Sequence, residues 1–355
     1  MARQMMDISA MLINRTAVGF LIRDTIRAFK DHTAGYQAFG EQLDAPDITE
    51  IARNRLVQRF HAAVGNGSIS PSAPPITLRR LFFDPIYTLF GPLKESDYVF
   101  ILDMTPFTNP GWHNPNVSRL YEQAFRRILA SRCHTIHISR NTLLTMRAVL
   151  GSEGPKASVL HLYIRRLRND PNVVSPHSFD LGKYLLFVGS LEERKNITGL
   201  ICAFDMSRLA RSGYKLVIAG GDGHGAAAIH ALAGRTPGVS LLGYVSDSDL
   251  HHLYEHATAF IYPSYLEGFG VPLLEAMAYG LPCVASMTGA SPEVGGSDVM
   301  YVDPCDVPAI SQAIRDCVEQ PEELRQQTGM RLKTRAGQGF TFERYQAELE
   351  KILSL

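Results

Sequence analysis

AFIYPSYLEGFGVPLLEAMAYGLPCVA, residues 259–285, contains two apolar runs separated by a helical segment. The first run, Ala259–Tyr262, is typical of a short buried strand. A helix is predicted to begin at Val271-Pro272, because proline is tolerated in a first helical turn, and to stop at Gly280-Leu281-Pro282. The second apolar run, 282–285, follows at once. The sequence therefore predicts strand, loop, helix and strand, which is a βαβ unit of a parallel sheet.

Two carboxylates lie eight positions apart in this unit. Glu267 precedes the glycine-rich loop Gly268-Phe269-Gly270, and Glu275 lies about one turn into the predicted helix. The exposed N-terminus of such a helix is an anion site, because its first N–H groups have no partner within the helix. A polyol that carries a phosphate could use the loop, the helix end and both carboxylates. The alternative is a buried βαβ unit with two solvated carboxylates.

Length and composition indicate a globular protein of two domains. The chain has 355 residues, no net formal charge and 45% hydrophobic residues. The N-terminus lacks a signal-peptide pattern, because Asp7, Asn14 and Arg15 interrupt any apolar region. No apolar run reaches the ~20 residues that a membrane span needs. The five cysteines are far apart and lack metal-ligand spacing, which favours a cytoplasmic protein with reduced thiols.

The charge is distributed unevenly along the chain. Lys and Arg outnumber Asp and Glu by 21 to 15 in residues 1–180, and are outnumbered by 14 to 20 in residues 181–355. This excess is either a solvated face or a basic surface that approaches anionic lipid or a diphosphate-linked acceptor. It is mostly arginine: Arg53, Arg55, Arg59, Arg79-Arg80, Arg126-Arg127 and Arg165-Arg166.

The first half of the chain alternates between predicted strands and helices. Residues 5–12 are predicted to form a first strand, and residues 16–30 and 47–64 amphipathic helices. Tyr98–Asp103, YVFILD, is a buried-type strand that ends in an acidic residue. Open α/β sheets bind ligands at the carboxyl ends of their strands, so topology alone makes Asp103 a candidate site residue.

The end of the first half is predicted to lead into a second domain. His134–Ser139 is a predicted strand, and Ser139 is expected to cap the helix 141–150. Val159–Ile164 is predicted to be the last strand of the first domain. The polar, proline-containing segment 165–181 that follows is predicted to be the hinge.

A second candidate for anion binding opens the second half. The apolar strand 184–189 ends in Gly189, where the backbone can come close to a ligand. Ser190 follows, and Arg194 and Lys195 precede a predicted helix. Arg can meet a diphosphate through its planar fork and Lys as a point charge. The alternative is an ordinary surface Arg-Lys pair.

Together these features resemble the retaining glycosyltransferases of family 4, whose fold is called GT-B. Glu267 and Glu275 match the E-x7-E motif of that family, in which the first Glu faces the donor sugar and the second holds the ribose hydroxyls. The resemblance implies an α/β protein with two Rossmann-like domains that face each other across a cleft, and a C-terminal helix that crosses back. The implied domains are 1–172 for the acceptor, 173–340 for the nucleotide sugar, and 341–355 for the helix.

The resemblance assigns further positions to the donor side. Arg194 and Lys195 match the family's donor-phosphate loop, although Ser190 stands where many relatives have Arg. Tyr244 and Val245 are expected to lie against the nucleotide base, or Tyr244 packs in the core. The implied donor and nucleotide site comprises Gly189, Ser190, Arg194, Lys195, Tyr244, Val245, Glu267, Gly268, Phe269, Gly270, Val271 and Glu275.

The resemblance is weaker on the acceptor side. Relatives often have His-Asp at the end of the strand 98–103, but here Leu102 replaces that His and only Asp103 carries over. His113, in a nearby loop, either fills the space or is solvated. Ser139 is either a plain N-cap or a ligand contact. The implied catalytic residues are Glu267, Arg194, Lys195 and Asp103, with Asp103, His113 and Ser139 on the acceptor side.

No metal ion or other cofactor is expected. Asp247-Ser248-Asp249 resembles the Asp-x-Asp metal motif of glycosyltransferases with the other major fold. It precedes a predicted helix, however, where Asp247 is suited to be the N-cap and Asp249 complements the helix dipole. We interpret it as a helix start. The sequence Gly220-Gly221-Asp222-Gly223 is not a GxGxxG fingerprint, so a dinucleotide site is not predicted.

The implied activity is transfer of a hexosyl group from a sugar nucleotide, with GDP-mannose as the expected donor. The implied acceptor is a glycan or lipid-diphosphate-linked glycan in cell-surface polysaccharide or lipopolysaccharide biosynthesis. We expect no nucleic-acid partner. The expected location is cytoplasmic, with peripheral contact to the inner face of the plasma membrane through the basic first domain. The alternatives are a UDP-sugar-dependent glucosyltransferase, a 2-epimerase of the same fold, and a non-catalytic subunit that binds nucleotide and supports a partner.

Overall fold

The computed structural model describes residues 4–13, 17–69, 77–151, 154–165 and 181–354. The chain divides into two compact units, which we call unit 1 (Met1–Leu162 with Phe342–Leu355) and unit 2 (Tyr163–Thr341). The predicted boundary at 172/173 lies outside the described residues, as do Thr16, Arg166 and nearly all of the predicted hinge. The exact domain limits therefore stay a prediction.

Unit 1 is built on a sheet whose described strands are β1 Gln4–Asp7, β2 Thr33–Ala38, β3 Glu41–Leu43, β4 Arg79–Phe82, β5 Tyr98–Ile101, β6 His134–His137 and β7 Ala157–Val159. Their order is β3-β2-β1-β4-β5-β6-β7. All neighbours pair in parallel except β3, which forms an antiparallel hairpin with β2. The order reverses direction between β1 and β4, and that reversal is the place where open sheets of this kind bind ligands.

Helices connect these strands. Those described before unit 2 are α1 Ser9–Ile13, α2 Ala17–Ala28, α3 Glu50–Asn66, α4 Thr105–Thr108, α5 Pro115–Ser131 and α6 Arg140–Leu150. Helix α3 begins where the Thr49 side chain accepts a hydrogen bond from the N–H of Ala52, and it ends at Gly67 in the left-handed conformation. Both are common end signals, and they fix the length of α3.

The prediction of one strand over residues 5–12 is wrong. Strand β1 ends at Asp7, and α1 begins at Ser9. The Asp7 carboxylate accepts a hydrogen bond from the Ser9 N–H at 3.0 Å, which supports a turn that the apolar residues alone did not indicate. The prediction of a last strand over Val159–Ile164 is also wrong. Strand β7 ends at Val159, and Ile164 belongs to unit 2, where its N–H donates to the Phe340 carbonyl.

Unit 2 is built on a second sheet, whose described strands are β8 Lys183–Val188, β9 Tyr214–Ala219, β10 Val239–Gly243, β11 Ala259–Tyr262, β12 Cys283–Ser286 and β13 Met300–Val302. Their order is β10-β9-β8-β11-β12-β13, and all neighbours are parallel. The order reverses between β8 and β11. Two doubly wound sheets confirm the predicted α/β class.

The described helices of unit 2 are α7 Ile197–Ser207, α8 Ala226–Ala233, α9 Asp247–His256, α10 Val271–Ala278, α11 Ser291–Gly295, α12 Val307–Glu319 and α13 Glu322–Gly339. Strands β11 and β12 with α10 between them form the βαβ unit predicted from residues 259–285. Apolar side chains fill much of the interior of this unit, with Phe260, Ile261 and Leu274 all 0% exposed. None of the described helices in either unit has both the length and the apolar character needed to cross a membrane.

The last helix, α14 Phe342–Leu353, belongs to unit 1. Its buried Tyr345 shares a hydrogen bond of 3.0 Å with the hydroxyl of Thr25 on α2. The carbonyl of Leu353 accepts a hydrogen bond from Arg79 at the start of β4. The final helix therefore completes the unit that the first part of the chain begins.

Several arginines from the basic first half have partners inside the fold. Arg80 is 2% exposed, and Arg53 donates two hydrogen bonds to the carbonyl of Leu12. Arg55 and Arg59 both pair with Glu41. The expected basic surface is therefore reduced, because part of the arginine excess serves to hold loops and strands together.

The buried pair Arg80–Asp97 joins the starts of β4 and β5. The guanidinium lies 2.6 Å from one carboxylate oxygen of Asp97, and the Arg80 N–H donates to the other at 2.8 Å. The N–H of Lys94 donates to the same carboxylate at 2.9 Å. A second bond of the guanidinium goes to the carbonyl of Pro92. Asp97 is 0% exposed, so its charge depends on these donors.

Replacing Arg80 with Met should destabilise unit 1 strongly, because it leaves the buried Asp97 charge without its counter-ion. Loss of one partner of a buried pair typically costs about 3–5 kcal/mol. Urea unfolding followed by far-UV circular dichroism measures the change. The control is Arg126→Met, which removes a pair with Glu122 whose arginine side chain is 76% exposed. Equal losses in the two variants would contradict the structural role of the buried pair.

Candidate functional site

The loop after β8 is fixed in place by a buried asparagine. Glu193–Lys195 form a single 3₁₀ turn, and Asn196 follows with φ 52° before α7 begins. Asn is one of the few residues that adopt this left-handed conformation readily. Its side-chain amide donates to the carbonyls of Pro263 at 3.1 Å and Pro304 at 2.7 Å. The loop after β8 is thereby tied to the loop after β11.

The two loops meet at a buried cluster of charges. Lys195 Nζ lies 2.6 Å from Glu267 Oε1, and Arg194 Nη1 lies 3.3 Å from Glu267 Oε2. Lys195 also donates to the Tyr262 hydroxyl at 2.7 Å. Glu267 and Lys195 are each 6% exposed. The structure therefore joins Arg194 and Lys195 from one predicted motif to Glu267 from another. It also adds Tyr262, which was predicted only as part of a strand.

The cluster sets the charge of Glu267. Burial by itself would raise the pKa of this carboxyl, but Lys195 and Arg194 together lower it from 4.5 to about 2. Burial lowers the pKa of Lys195 from 10.5, and the adjacent Glu267 acts in the opposite direction. Glu267 is thus an ionised hydrogen-bond acceptor across the neutral pH range, and it has one cationic partner on each oxygen.

Glu192 is a member of this cluster that sequence reasoning missed. Its carboxylate accepts a hydrogen bond from the Ser190 hydroxyl at 2.6 Å and another from Arg194 Nε at 2.8 Å. Ser190, which stands where relatives have Arg, therefore acts on Arg194 through Glu192. The available signal was a carboxylate two residues before Arg194, inside a loop predicted to bind an anion.

The backbone of Glu267 is held by a glycine from a later loop. Gly289 has φ +61°, and a Cβ atom there would lie 2.7 Å from the Glu267 carbonyl oxygen. The next residue, Ala290, donates its N–H to that same carbonyl at 3.0 Å. Only glycine allows this approach without displacement of the Glu267 backbone.

Glu275 lies in a second buried cluster. It is 4% exposed, and its Oε1 accepts a hydrogen bond from Arg165 Nε at 3.0 Å. Its Oε2 accepts one from the Tyr254 hydroxyl on α9, also at 3.0 Å. Burial raises the pKa of Glu275, while Arg165 and Tyr254 act to lower it. Sequence reasoning had counted Arg165 with a basic surface, which is wrong because its side chain is only 15% exposed and pairs within unit 2.

The Asp-Ser-Asp sequence begins a helix, but its N-cap is one residue earlier than predicted. Ser246 caps α9 by accepting a hydrogen bond from the N–H of Asp249 at 3.1 Å, and its hydroxyl donates to the Asp249 carboxylate. Asp247 pairs with Arg165 at 2.9 Å. A serine side chain can reach the third N–H of the helix, which makes Asp247 the first helical residue. Both carboxylates thus have protein partners.

The remaining residues that were predicted for the donor side lie at the carboxyl ends of the strands of the same sheet. Gly270 is the N-cap of α10 with φ +90°, and Val271 begins the helix. Phe269 is 2% exposed and packs edge-to-face on Phe340. Tyr244 follows β10 and is 72% exposed, so the alternative that it packs in the core is wrong.

The sheet order explains why these loops meet. Strands β8 and β11 are neighbours, and the chain leaves them in opposite directions along the sheet. The loop after β8 carries Gly189, Ser190, Arg194 and Lys195, and the loop after β11 carries Glu267, Gly268, Phe269 and Gly270. The buried charges therefore lie at the reversal point of the sheet, where this architecture binds ligands.

In unit 1, Asp103 and His113 both contact the hydroxyl of Thr105. The Asp103 carboxylate accepts hydrogen bonds from the Thr105 N–H at 2.9 Å and the Thr105 hydroxyl at 2.8 Å. His113 Nε2 lies 3.0 Å from that same hydroxyl. Ser139, by contrast, is fully buried and caps α6 by accepting a hydrogen bond from the Thr142 N–H.

Two strand-end carboxylates of unit 1 were not predicted as site residues. Asp7 ends β1 and Asp84 follows β4, the two strands that flank the reversal of the sheet. Burial raises the pKa of Asp7 from 3.8 to about 6 and that of Asp84 from 3.8 to about 7. Asp84 accepts a hydrogen bond of 2.6 Å from the Tyr121 hydroxyl. Both positions were available to the same strand-end argument that singled out Asp103.

Replacing Asp84 with Asn should stabilise the protein at pH 8 by clearly more than it does at pH 5. The folded-state pKa of about 7 exceeds the ordinary value of 3.8, so the native state binds this proton more tightly than the unfolded state. The contribution of this carboxyl to stability is present at low pH and is lost as the pH rises toward 7. Thermal unfolding at both pH values measures the difference, at about 2–4 °C per kcal/mol.

Asparagine retains an oxygen for the Ile86 N–H, and its amide N–H can donate to the Tyr121 hydroxyl in place of the lost acceptor, which keeps the capping geometry comparable. Asp298→Asn, at a carboxylate in unit 2 that is paired with Arg331 and partly exposed, is the control. A variant at position 84 that loses as much stability at pH 8 as at pH 5 would contradict the raised pKa.

Comparison with known proteins bears on both units. Residues 174–335 match the family described as "Glycosyl transferases group 1". O-antigen chain mannosyltransferase B from Escherichia coli is 43% identical over 135 residues, which are 37% of this chain and 35% of that protein. O-antigen chain mannosyltransferase RfbU from Salmonella typhimurium is 26% identical over 241 residues, which are 66% of this chain and 64% of that protein. The chain therefore spans between about one third and two thirds of the length of these relatives.

Solved structures extend the similarity to the whole fold. Anabaena HepE, in a complex with UDP and glucose, aligns with a TM-score of 0.70 over 100% of both chains at 15% identity. Sucrose-phosphate synthase from Thermosynechococcus elongatus aligns with a TM-score of 0.68 over 99% of this chain and 98% of that chain, at 16% identity. At these identities the likeness shows a shared fold, which is the predicted GT-B arrangement of two α/β sheets and a C-terminal helix.

Proposed function

We propose that the chain, whose residues 174–335 match the group 1 glycosyltransferase family and which has a GT-B fold, is a retaining hexosyltransferase with a sugar nucleotide as donor. The observation that carries this proposal is the buried cluster of Glu267, Lys195 and Arg194 at the reversal point of the unit 2 sheet. A carboxylate held ionised beside two cations suits a donor that has both hydroxyl groups and a diphosphate.

Each member of the cluster has a separate role in this proposal. Glu267 accepts hydrogen bonds from hydroxyls of the donor hexose, because its low pKa keeps it a pure acceptor. Arg194 and Lys195 stabilise the negative charge that develops on the diphosphate as it leaves. Removal of one preorganised donor of this kind typically costs about 10²–10³ in rate. Asp103 is assigned to the acceptor side, with His113 and Ser139.

The rest of the nucleotide is assigned to neighbouring elements. Glu275 accepts hydrogen bonds from the ribose hydroxyls, and the N-terminus of α10, from Gly268 to Val271, faces a phosphate. Tyr244 and Val245 lie against the base, which the 72% exposure of Tyr244 supports, because an exposed ring offers a face for stacking. Gly189 and Ser190 let the backbone after β8 approach the diphosphate.

The reaction needs no metal ion in this proposal. The bond between the anomeric carbon and the β-phosphate oxygen breaks, and the new bond to the acceptor oxygen forms on the same face of the sugar. The acceptor hydroxyl gives its proton to the departing phosphate oxygen. Lys195 and Arg194 take the place that a divalent cation has in metal-dependent enzymes, since both are cationic and fixed before the reaction starts.

GDP-mannose is the donor that we propose, and the similarity to O-antigen mannosyltransferases supports it. The acceptor would be a glycan or a glycan on a lipid diphosphate, reached from the inner face of the membrane. UDP-glucose is the second candidate donor, supported by the shared fold with HepE in its UDP-glucose complex. A non-catalytic nucleotide-binding subunit is the third candidate, favoured by Leu102 and Ser190 where relatives have His and Arg.

A thermal-shift screen of GDP-, UDP- and dTDP-sugars should identify one class of donor that raises the unfolding midpoint. Ligand that binds only the folded state stabilises by about 2.7 kcal/mol at 100 times its Kd. We expect the largest shift with GDP-mannose. Arg194→Met combined with Lys195→Met should reduce the shift, and Arg331→Met on the surface of unit 2 should leave it unchanged. A wild-type protein that responds to no sugar nucleotide would contradict the proposed function.

Replacing Glu267 with Gln should lower transfer of mannose to a lipid-linked glycan by at least about 10²-fold, because an amide cannot match the charged acceptor. GDP affinity should change little, since the diphosphate and ribose contacts remain. Transfer is measured with radiolabelled donor, and affinity by titration calorimetry. Glu323→Gln, at an exposed position of α13, is the matched control. Undiminished transfer in the Glu267 variant would exclude it from the reaction.

A further inference from the structure

We propose that Arg165 is a positioning residue for nucleotide binding, which holds the Glu275 carboxylate in one orientation and supplies its counter-charge. The inference rests on the proposed role of Glu275 as the acceptor for the ribose hydroxyls. It adds a residue from outside the E-x7-E motif, 110 positions earlier in the chain.

Arg165 is held between two helices of unit 2. Its Nε lies 3.0 Å from Glu275 Oε1 on α10, and its Nη1 lies 2.9 Å from Asp247 Oδ1 on α9. The side chain is 15% exposed. Because the guanidinium is planar, two carboxylates on different nitrogens fix both its position and its plane. Arg165 can therefore restrain the orientation of Glu275, as a flexible surface arginine could not.

The backbone before Arg165 is also anchored to the donor loops. The N–H of Ile164 donates to the carbonyl of Phe340 at 2.9 Å, and Tyr163 is 8% exposed. The Phe340 ring packs edge-to-face on Phe269, which follows Glu267 by two residues. The segment that carries Arg165 is thus attached to the same glycine-rich loop that carries the first Glu of the motif.

Glu275 retains acceptor capacity after these contacts. Arg165 uses one lone pair of Oε1, and the Tyr254 hydroxyl uses one of Oε2. A carboxylate has about four lone-pair sites, so each oxygen has room for one more donor. That arrangement suits two neighbouring hydroxyls, such as the 2′- and 3′-hydroxyls of a ribose. A carboxyl that is protonated, or that rotates, would lose this match.

The charge environment makes Arg165 the cation that favours the ionised form of Glu275. Burial raises the pKa of Glu275, and Arg165 is the nearest cationic group that lowers it, with the Tyr254 hydroxyl acting in the same direction. Asp247 opposes them, because it is a second carboxylate beside the same guanidinium. Tyr279 also faces this cluster, and burial, followed by the nearby Glu275 charge, raises its pKa to about 12. Without Arg165, burial and Asp247 would still raise the pKa of Glu275, and of the groups named here only Tyr254 would lower it.

The test is titration calorimetry of GDP and 2′-deoxy-GDP, with UDP and 2′-deoxy-UDP in parallel, between pH 7 and pH 9. The proteins are the wild type, Arg165→Met, Arg165→Lys, Glu275→Gln and the surface control Arg331→Met. The ratio of variant to wild-type Kd at each pH cancels the titration of the nucleotide itself. Thermal unfolding of each protein without ligand shows that it is folded.

Arg165→Met should bind GDP about 10-fold or more weakly at pH 7, because a hydrogen bond to a charged group is weakened. The loss should shrink as the pH rises, by up to about tenfold per pH unit, since higher pH restores the carboxylate. At pH 7, Arg165→Met should also have a smaller preference for GDP over 2′-deoxy-GDP than the wild type. If Arg165 had only a structural role, Arg165→Met would weaken the binding of GDP and of 2′-deoxy-GDP equally at every pH. Arg165→Lys should restore the pH profile, because it returns the positive charge.

The role of Arg165 and the role of Glu275 can be disproved separately. If Glu275→Gln reduces both affinity and the preference for the 2′-hydroxyl, whereas Arg165→Met leaves the preference and the pH profile as in the wild type, the role of Arg165 is overturned and that of Glu275 stands. If Glu275→Gln itself leaves nucleotide affinity unchanged, the ribose assignment is overturned and the inference falls with it.

Discussion

The contact between Lys195 and Glu267 is the interaction on which the arrangement of the loops after β8 and β11 depends. It places a positive and a negative charge 2.6 Å apart at positions where both residues are 6% exposed. A buried ion pair rarely stabilises a fold, because the loss of hydration offsets most of the attraction. Its value here is that a charge removed from water acts more strongly on a ligand. The loops after β8 and β11 are organised so that this pair forms in one geometry only.

Three contacts around the pair restrict its geometry. The Asn196 amide donates hydrogen bonds to two carbonyls on later loops, and Tyr262 accepts one from the lysine. Gly289 has no side chain, which leaves room for the Glu267 backbone. Each comes from a different part of unit 2. The strand order brings them together, since β8 and β11 are adjacent although 70 residues of chain lie between Val188 and Ala259. The second buried carboxylate, Glu275, is restrained in the same manner by α9 and by the segment that begins unit 2.

Sequence reasoning succeeded where the determining interactions are local. The βαβ unit at 259–285 was predictable because apolar runs, a proline and glycines specify it within 27 residues. Arg194 and Lys195 were predicted to be an anion-binding pair from local sequence in the same way, and that role stays a prediction. Their direct contact with Glu267, and the part played by Glu192, depend on which loops become neighbours. Arg165 was assigned to a basic surface, because nothing next to it in sequence indicates its partners 82 and 110 positions later. The turn after Asp7 was not predicted, because a hydrogen bond to the Asp7 carboxylate marks the end of that strand and the apolar pattern does not change there.

The return of the last helix to unit 1 has a consequence for the order in which the protein is made. The hydrogen bond between Thr25 and Tyr345 joins residues 320 positions apart, so it forms only after all of unit 2 has been synthesised. Domains generally fold as they emerge from the ribosome, from the N-terminus onward. Here unit 2 has all of its chain available before unit 1 has received its final helix. The unit that is synthesised first is therefore the last to be completed, and until then the surface that α14 covers, including part of α2, is open to chaperones or to premature association.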